Sequence, residues 1–367
     1  MTKQRHIFES VRRRIQAGDF QPGDRIPSDS ELVREFGVSR PTVAKALQEL
    51  ERRGLVKRKT GSGTYVLDLP SAEGQQFGLL IPGLGETEIF EPICAAMARI
   101  AQEAGHSLLW GANSPHAVGG DRGQQAIDLC DRYIRDQVGG VFFAPVEHAA
   151  DKDSVNARII ASFSHAKIPV VLLDRDYVPY PERSPYDLVG IDNRRVGYSI
   201  THHLFRRGCE KVMFFARPGS AATIDARVAG FMEAVVKDAG AFESTLVQRC
   251  DPRDASSIGE LVSTHRPDGI VCGNDVTAGK LMHTLDQLGL EVPEDVMVGG
   301  IDDVKYAELL RVPLTTVRQP CGAIGEAAFH TMLSRIESPD AVARDVLIGC
   351  DLIERESTKR LGHGAAS

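Results

Sequence analysis

The sequence predicts an α/β protein with a small N-terminal head, built of helices and one hairpin, and a larger body of two doubly wound parallel sheets. Two observations predict this class. The first 67 residues hold two capped helical segments followed by a basic hairpin. From residue 77 onward, apolar segments alternate with amphipathic ones, which is typical of parallel sheets covered by helices on both faces. We expect a head at residues 1–69, a linker at 70–76, a body at 77–357 and a flexible tail at 358–367.

The first capped helix of the head starts at Ser28. Ser28 and Glu31, three residues later, form a capping box, in which each side chain binds the backbone N–H of the other residue. Gly37 can adopt the left-handed backbone conformation that ends a helix. The apolar face of this helix consists of Leu32, Val33 and Phe36.

A second helix follows after a tight turn. Ser39 caps it, and Pro41 lies in its first turn, where a missing N–H costs nothing. Its apolar residues recur at i, i+4 and i+7, namely at Val43, Leu47 and Leu50. The opposite face, which we expect to point outward, carries Arg40, Thr42, Lys45 and Gln48.

A short hairpin completes the head. Gly54 is expected to end the second helix, and strands at 55–58 and 64–67 flank a basic, glycine-containing tip at 59–63. Two helices joined by a tight turn and followed by such a hairpin indicate a winged helix-turn-helix, which is a DNA-binding arrangement. The alternative is an ordinary helical hairpin with a solvated charged face. The caps, the turn and the hairpin together favour the first interpretation.

The charges of the chain are divided between its two parts. Residues 1–67 contain 14 Lys and Arg against 8 Asp and Glu, a net charge of +6, so the rest of the chain must carry −13 to give the total of −7. A basic head on an acidic body suits a protein that neutralises phosphates at one end only. Charge segregation is a weak indication by itself, because solvated helix faces also carry such charges.

Composition argues against several other classes of protein. The seven Cys are scattered without a C-x-x-C pair, which predicts neither disulfides nor a metal site and is typical of a reducing cytosol. No apolar run approaches the roughly 20 residues that span a bilayer, and the N-terminus lacks the apolar core of a signal peptide. We therefore expect no membrane contact and a cytoplasmic location.

The head resembles the GntR family of winged helix-turn-helix regulators. The matching residues are Pro27, Ser28, Glu31, Leu32, Gly37, Val38, Ser39, Arg40, Thr42, Val43, Gly54, Leu55, Gly61, Gly63 and Thr64. The resemblance implies that Ser39, Arg40 and Thr42 lie at the DNA. It also implies that Gly63 lies near the minor groove.

The head departs from the family pattern at two positions. Ser30 and Ala44 stand where the family often has arginines that hold or read DNA. Because both arginines are missing, the operator sequence of the family does not carry over to this chain. We expect Lys45 or Arg34 to compensate in part for their loss.

The body consists of apolar strands that alternate with helices. The strands are expected at residues 77–82, 106–111, 139–145, 168–176, 188–192, 211–217, 269–274 and 295–303. A proline-rich stretch at 179–185 separates two successive sets of similar size. This organisation predicts two doubly wound lobes with a ligand cleft between them, outside the carboxyl ends of the strands.

Polar residues follow these strands at their carboxyl ends. The clusters are Asp174–Arg175, Asp192–Asn193, Asn274–Asp275 and Asp302–Asp303. A helix cap or a turn explains any one cluster, whereas several of them together with Arg227 predict a convergent polar cleft. Carboxylates, an amide and a guanidinium suit a neutral polyol, because they accept from and donate to its hydroxyls.

Residues 77–356 resemble the LacI/GalR repressors and the periplasmic sugar-binding proteins. The matching motifs are LLDRD (172–176), RVAGF (227–231), residues 273–303 and PLTTVRQP (313–320). The effector contacts that the resemblance implies are Asp174, Arg175, Arg227, Asn274 and Asp302. Gln319 is a further match to the family pattern.

Other residues of the body have plainer interpretations beside a functional one. Phe90 is a candidate aromatic for stacking on a sugar ring, with core packing as the alternative. We expect Asp275 and Asp303 to be structural. His202 and His203 lie on an amphipathic helix, where they face solvent or pack.

Motifs of the common enzyme classes are missing from the sequence. The G-x-G at residues 83–85 lacks the third glycine and the distal acid of a dinucleotide site. The chain has no P-loop, no G-x-S-x-G elbow and no H-E-x-x-H motif. We expect no catalytic residues, no cofactor and no metal.

The two resemblances together predict a homodimeric regulator that binds double-stranded operator DNA and a small-molecule sugar effector. The favoured interpretation is a repressor of carbohydrate-utilisation genes that is released when a pentose such as arabinose binds between the lobes. The alternatives within this class are an activator and a sensor of a purine or a sugar phosphate. Those of other classes are a cytosolic sugar-binding module without a DNA role and an α/β enzyme.

Overall fold

The structure is a computed structural model, and its described residues form two compact units. One unit lies within residues 1–75 together with 102–106, and the other comprises the remaining residues. The described residues are 3–16, 19–21, 23–52, 55–59, 62–67, 74–82, 88–111, 122–147 and 151–359. Gly54, Thr60, Gly61, most of the expected linker, residues 83–85 and most of the expected tail lie outside these ranges.

The head contains three helices and a hairpin. They are α1 (Lys3–Gln16), α2 (Asp29–Phe36), α3 (Arg40–Arg52), β1 (Val56–Lys59) and β2 (Gly63–Val66). Its core consists of apolar residues of all three helices and both strands, among them Ile7, Leu32, Val43, Leu50 and Val56.

Both ends of α2 follow the sequence prediction. Ser28 N donates to Glu31 Oε2 at 2.7 Å and Glu31 N donates to Ser28 Oγ at 3.3 Å, so the capping box is confirmed. Gly37 ends α2 with a φ of 60°, in the left-handed region. The segment before α2 lies along the hairpin, because Ile26 N donates to the Thr64 carbonyl at 3.0 Å.

Lobe 1 of the body is a six-stranded parallel sheet. Its strands are β3 (Gln76–Leu80), β4 (Ser107–Trp110), β5 (Gly140–Phe143), β6 (Val170–Leu173), β7 (Asp187–Ile191) and β13 (Asp345–Ile348). They lie in the order β13-β7-β6-β5-β3-β4. The helices of this lobe are α4 (Phe90–Glu103), α5 (Arg122–Arg135), α6 (Lys152–His165) and α11 (Cys321–Glu337).

Lobe 2 is a second six-stranded sheet, in which one edge strand is antiparallel. Its strands are β8 (Val212–Ala216), β9 (Val247–Arg249), β10 (Gly269–Cys272), β11 (Met297–Asp302), β12 (Thr315–Arg318) and β14 (Asp351–Ile353). The order is β14-β12-β11-β10-β8-β9, and β14 runs antiparallel to β12. The helices are α7 (Asn193–Arg206), α8 (Ala222–Ala239), α9 (Ala255–His265) and α10 (Asp275–Gln287).

The sequence suggested two successive lobes, but in the structure the chain passes between the lobes more than once. The chain passes from lobe 1 to lobe 2 after β7, returns after β12 at residues 318–321, and passes again between β13 and β14 at 348–351. We call these three segments the lobe crossings. The strands β9, β12, β13 and β14 were not predicted from the sequence.

Two negative observations apply to the described residues. None of their helices is both long and apolar enough to cross a bilayer. Within the same ranges, no three His, Cys, Asp or Glu side chains are grouped so that they could hold a metal ion.

Candidate functional sites

The outward face of α3 carries the residues that we expect at the DNA. Arg40 and Lys45 are exposed, whereas the apolar face of the helix is buried. The hydroxyls of Ser39 and Thr42 are joined by a hydrogen bond of 2.8 Å. Arg34 is exposed on the neighbouring helix α2. The start of α3 thus combines fixed hydroxyl groups with exposed cations, which suits contact with phosphates and base edges.

The hairpin adds a second basic surface to the head. The Lys59 ammonium lies 5.1 Å from the centroid of the Tyr65 ring, and the Tyr65 hydroxyl shares a hydrogen bond of 2.6 Å with Ser62 Oγ. Gly63 has a φ of +124°, and a Cβ there would lie 2.5 Å from Arg25 Nε. The hairpin therefore needs glycine at position 63. Arg25 was not predicted, because it precedes the capped helices that carry the sequence motif.

The body contains a cavity of about 830 Å³ that is lined by residues of both lobes, next to the carboxyl ends of their strands. Six of the seven effector residues expected from the sequence line it: Phe90, Asp174 and Arg175 from lobe 1, and Arg227, Asn274 and Asp302 from lobe 2. The seventh, Gln319, is not part of the lining and contacts the cavity residue Asp302 instead. The structure therefore brings the predicted residues together in one cleft.

The lobe 1 side of this cleft centres on Arg175. Its Nε donates to the Pro145 carbonyl at 3.0 Å, and its Nη1 donates to Asp174 Oδ2 at 2.8 Å. A second carboxylate, that of Glu147, lies 3.4 Å from Nη2. The guanidinium also lies 5.9 Å from the centroid of the Phe90 ring. Arg175 is 8% exposed, so its charge is held by protein groups of lobe 1.

The lobe 2 side centres on Arg227, which is 3% exposed. Its Nη1 donates to the Gly273 carbonyl at 2.6 Å, and its Nε donates to Asn193 Oδ1 at 2.8 Å. Its Nη2 lies 3.6 Å from Asp302 Oδ1. Asp302 Oδ1 in turn accepts from Gln319 Nε2 at 2.7 Å. Gln319 thus orients the carboxylate that lines the cavity.

The electrostatics of the cleft favour a ligand that donates hydrogen bonds. The pKa of Asp302 is raised to about 6, chiefly by burial and also by the carboxylates of Asp174 and Glu88, against the lowering effect of Arg227 and Gln319. Burial also raises the pKa of Glu88. Carboxylates from both lobes therefore share one poorly solvated space, where hydroxyl donors would stabilise them.

Backbone strain coincides with two of the cavity carboxylates. Asp174 has a φ of 68° and Asp302 a φ of 126°, both in the region that favours glycine. Non-glycine residues in such conformations persist where the surrounding structure holds them, and they cluster at functional sites. Strain at these two acids therefore supports a binding role for the cleft.

The neighbours of these residues have structural contacts. Asn274 Oδ1 caps α10 by accepting from Thr277 N at 2.9 Å. Asp275 is fully buried, and burial raises its pKa to about 7. Its carboxylate accepts from the Thr316 hydroxyl at 2.6 Å and from Val304 N at 3.1 Å. These bonds give Asp275 a structural role, in which it holds the start of α10 against the end of β11.

Phe90 is 1% exposed and borders both the cavity and the apolar core of lobe 1. Its contact with the Arg175 guanidinium fits a packing role as well as a ligand role. Five charged residues that line the cavity were not predicted from the sequence: Glu88, Arg122, Glu147, Lys152 and Arg217. Glu88 and Glu147 lie in loops, and Arg122 and Lys152 at helix starts, where the pattern of strand ends does not point to them, whereas Arg217 was missed although it directly follows β8.

Comparison with known proteins finds two family matches within the chain. Residues 3–66 match the family described as bacterial regulatory proteins of the gntR family. Residues 201–358 match the family described as a periplasmic binding protein-like domain. The arabinose metabolism transcriptional repressor of Geobacillus stearothermophilus is 28% identical to the chain over 361 residues, which cover 95% of each protein.

Solved structures of regulators share the fold of the body. The transcription regulator CcpA of Lactococcus lactis has a TM-score of 0.65 at 20% identity, covering 78% of this chain and 100% of CcpA. A LacI family regulator from Enterococcus faecium, solved with bound ribose, has a TM-score of 0.61 at 20% identity, covering 77% and 98%. These likenesses confirm the predicted fold class. The chain joins an N-terminal DNA-binding domain of the GntR family of bacterial regulatory proteins to a periplasmic-binding-protein-like domain of the kind found in LacI-type regulators.

Proposed function

We propose that the chain is a cytoplasmic transcriptional repressor of carbohydrate-utilisation genes that a small sugar releases from double-stranded operator DNA. The observation that carries this proposal is the polar cavity of about 830 Å³ between the two lobes, on a chain that also has a GntR-type head. Similarity to an arabinose repressor over 95% of the chain favours a pentose such as arabinose.

The chemistry of the cleft supports a sugar. Asp174 and Asp302 offer carboxylate oxygens to vicinal hydroxyls, and the amide of Asn274 can donate to a hydroxyl or a ring oxygen. Arg175 and Arg227 fix the carboxylates and present further N–H donors. The Phe90 ring borders the cavity but is only 1% exposed, so the polar groups carry most of the proposed contact with the sugar.

The head reads DNA as one half of a homodimer in this proposal. Arg40 and Thr42 lie at base edges in the major groove, and the hairpin of β1 and β2 follows the backbone. Ser39, Lys45 and Gly63 complete the contact surface, with Arg34 beside it. Two heads then occupy the half-sites of a pseudo-palindromic operator, and the sensor lobes supply the dimer contact.

Release follows from linkage between the two sites. A sugar that closes the cleft favours one relative orientation of the lobes, and the operator favours the other. Each ligand then lowers the affinity of the other by the same factor. The sugar therefore releases DNA only if it binds the closed form of the cleft more tightly than the open form.

A phosphorylated sugar is the second candidate effector. Three further cations, Arg122, Lys152 and Arg217, line the same cavity and offer charge to an anionic group. A purine is less well supported, because Phe90 is almost fully buried and stacking needs an open aromatic face.

The deciding experiment is operator release at fixed salt. An operator fragment is selected from random-sequence DNA with the full chain, and its affinity is measured with and without L-arabinose, D-ribose, D-xylulose and their phosphates. An effective sugar should lower operator affinity by about 5- to 150-fold. Unchanged operator binding with every one of these compounds would contradict the proposal.

The division of labour between head and body has its own test. Arg40→Ala should weaken specific operator binding by about 1–3 kcal/mol and leave sugar affinity unchanged. Lys211→Ala removes an exposed cation from the body and should change neither affinity. Loss of sugar binding in the Arg40 variant would contradict the division into two functional domains. Absence of salt-dependent DNA binding by the natural chain would favour a sugar-binding module without a DNA role.

A further inference from the structure

Four side chains form a continuous chain of polar contacts from one lobe crossing to another. Arg227 Nε donates to Asn193 Oδ1 at 2.8 Å, and Arg227 Nη2 lies 3.6 Å from Asp302 Oδ1. Gln319 Nε2 donates to the same Asp302 oxygen at 2.7 Å. We call Asn193, Arg227, Asp302 and Gln319 the crossing network.

The two ends of this network lie where the chain changes lobes. Asn193 is the first residue of α7, two residues after the lobe 1 strand β7 ends. Gln319 follows the lobe 2 strand β12 and precedes α11, the helix that returns to lobe 1. The two middle members line the cavity, whereas neither Asn193 nor Gln319 does.

Burial makes the crossing network sensitive to a ligand. Asn193, Arg227 and Gln319 are 8%, 3% and 4% exposed, so water cannot replace a contact that they lose. One oxygen of Asp302 faces both Arg227 and Gln319. A ligand hydroxyl that binds Arg227 or Asp302 therefore changes the geometry of contacts that reach two crossings at once.

We infer that Asn193 and Gln319 are positioning residues that convert occupancy of the cleft into a change in the angle between the lobes. This inference rests on the proposed function, because its output is release of operator DNA. Asn193 and Gln319 act through Arg227 and Asp302, so their loss reduces coupling while the cavity side chains themselves are kept. Coupling needs an element whose arrangement both ligands bias, and the crossing network connects the cleft to such an element.

The test separates sugar affinity from coupling. Asn193→Ala removes the acceptor for Arg227, Gln319→Ala removes the donor to Asp302, and Asn193→Asp keeps an acceptor. The control Thr284→Val removes a buried hydrogen bond of lobe 2, from the Thr284 hydroxyl to the Pro252 carbonyl, that does not touch the cleft. Sugar affinity is measured by calorimetry and operator affinity by anisotropy, with whichever of L-arabinose, D-ribose, D-xylulose and their phosphates releases the natural chain.

At sugar concentrations that saturate each protein, the two alanine variants should show a release ratio, operator affinity without sugar over that with sugar, at least about fivefold smaller than that of the natural chain. Asn193→Asp and Thr284→Val should keep the natural ratio. An unchanged ratio in both alanine variants overturns the inference, and so does a loss of sugar affinity that accounts for the whole loss of release. If one alanine variant fails to fold, the other decides. Release of the natural chain by none of the compounds defeats the proposed function itself.

Discussion

The two sides of the cleft hold their arginines in different ways. Arg175 is bound by Asp174, Glu147 and the Pro145 carbonyl, all of which belong to lobe 1. Arg227 is bound by groups that lead out of the cavity, because its partner Asn193 lies at a lobe crossing. The first arrangement is closed within one lobe, and the second continues into the connection between lobes.

This difference indicates a division of roles between the lobes. A self-contained cluster can supply binding free energy without altering the lobe angle. A cluster tied to the crossings makes ligand binding and lobe angle depend on each other. We therefore expect lobe 1 to contribute mainly affinity for the effector and lobe 2 to contribute affinity together with coupling.

The largest expected effects come from removing either arginine. Arg227→Ala and Arg175→Ala each leave buried carboxylates without their cation, which lowers the free energy of unfolding by about 3–5 kcal/mol. Both variants should lose sugar affinity. The release ratio should fall only in Arg227→Ala, and it is measured at sugar concentrations that saturate each variant.

Two outcomes would contradict this division of roles between the lobes. Equal loss of the release ratio in Arg175→Ala would show that lobe 1 is also coupled to the lobe angle. An unaltered ratio in Arg227→Ala would show that lobe 2 is not. Chemical denaturation monitors stability in both variants, so that unfolding is not mistaken for uncoupling.

The titration of Asp302 sharpens the comparison next. Burial raises its pKa from 3.8 to about 6, so the folded chain favours the protonated acid. The stabilisation of the folded state that comes from protonating this group is therefore fully present below pH 3.8. It is lost as the pH rises to about 6. The asparagine of Asp302→Asn is uncharged at every pH. The free energy of unfolding of this variant should therefore rise by about 1–3 kcal/mol relative to that of the natural chain across this pH range.

Denaturation curves of the two proteins at several pH values check this prediction. The gap between their free energies of unfolding should widen between pH 4 and about pH 6 and then stay constant. Sugar affinity should fall in Asp302→Asn, because the amide offers one acceptor oxygen in place of two. Parallel stability profiles would show that Arg227 and Gln319 fully compensate the buried charge.

The sequence predicts the head and the strand ends well for a physical reason. The capping box of Ser28 and Glu31 and the helix end at Gly37 depend on residues that are close together in the chain. The cleft residues Asp174 and Asp302 were identifiable because parallel strands place their carboxyl ends at one edge. In each case a local pattern is enough.

Features that depend on tertiary contacts were not predictable in the same way. Glu147 lies in a loop, and only the fold shows that it faces Arg175. The roles of Asn193 and Gln319 require knowledge of where the chain changes lobes. The strand β13, with exposed and half-buried residues in alternation, has too weak an apolar pattern to be recognised.

The smallest expected effect tests whether the position of Arg227 matters apart from its side chain. The helices α7 and α8 cross closely at Gly197, where a Cβ would lie 2.7 Å from the carbonyl carbon of Arg227 and 2.8 Å from its Cα. Gly197→Ala therefore pushes α8 away from α7 and costs about 1–3 kcal/mol of unfolding free energy. Gly322→Ala, in α11, meets no atom within 4 Å and should be neutral or stabilising.

The release ratios of these two variants test whether coupling depends on the exact position of Arg227 in lobe 2. Displacement of the Arg227 backbone changes its distances to Asn193 and Asp302 while its guanidinium is kept. We expect the release ratio of Gly197→Ala to fall and that of Gly322→Ala to stay natural, in the operator titrations used for the arginine variants. A natural ratio in Gly197→Ala would mean that the contacts of Arg227 re-form after the shift, and that coupling depends on the presence of the charge and not on where α8 holds it.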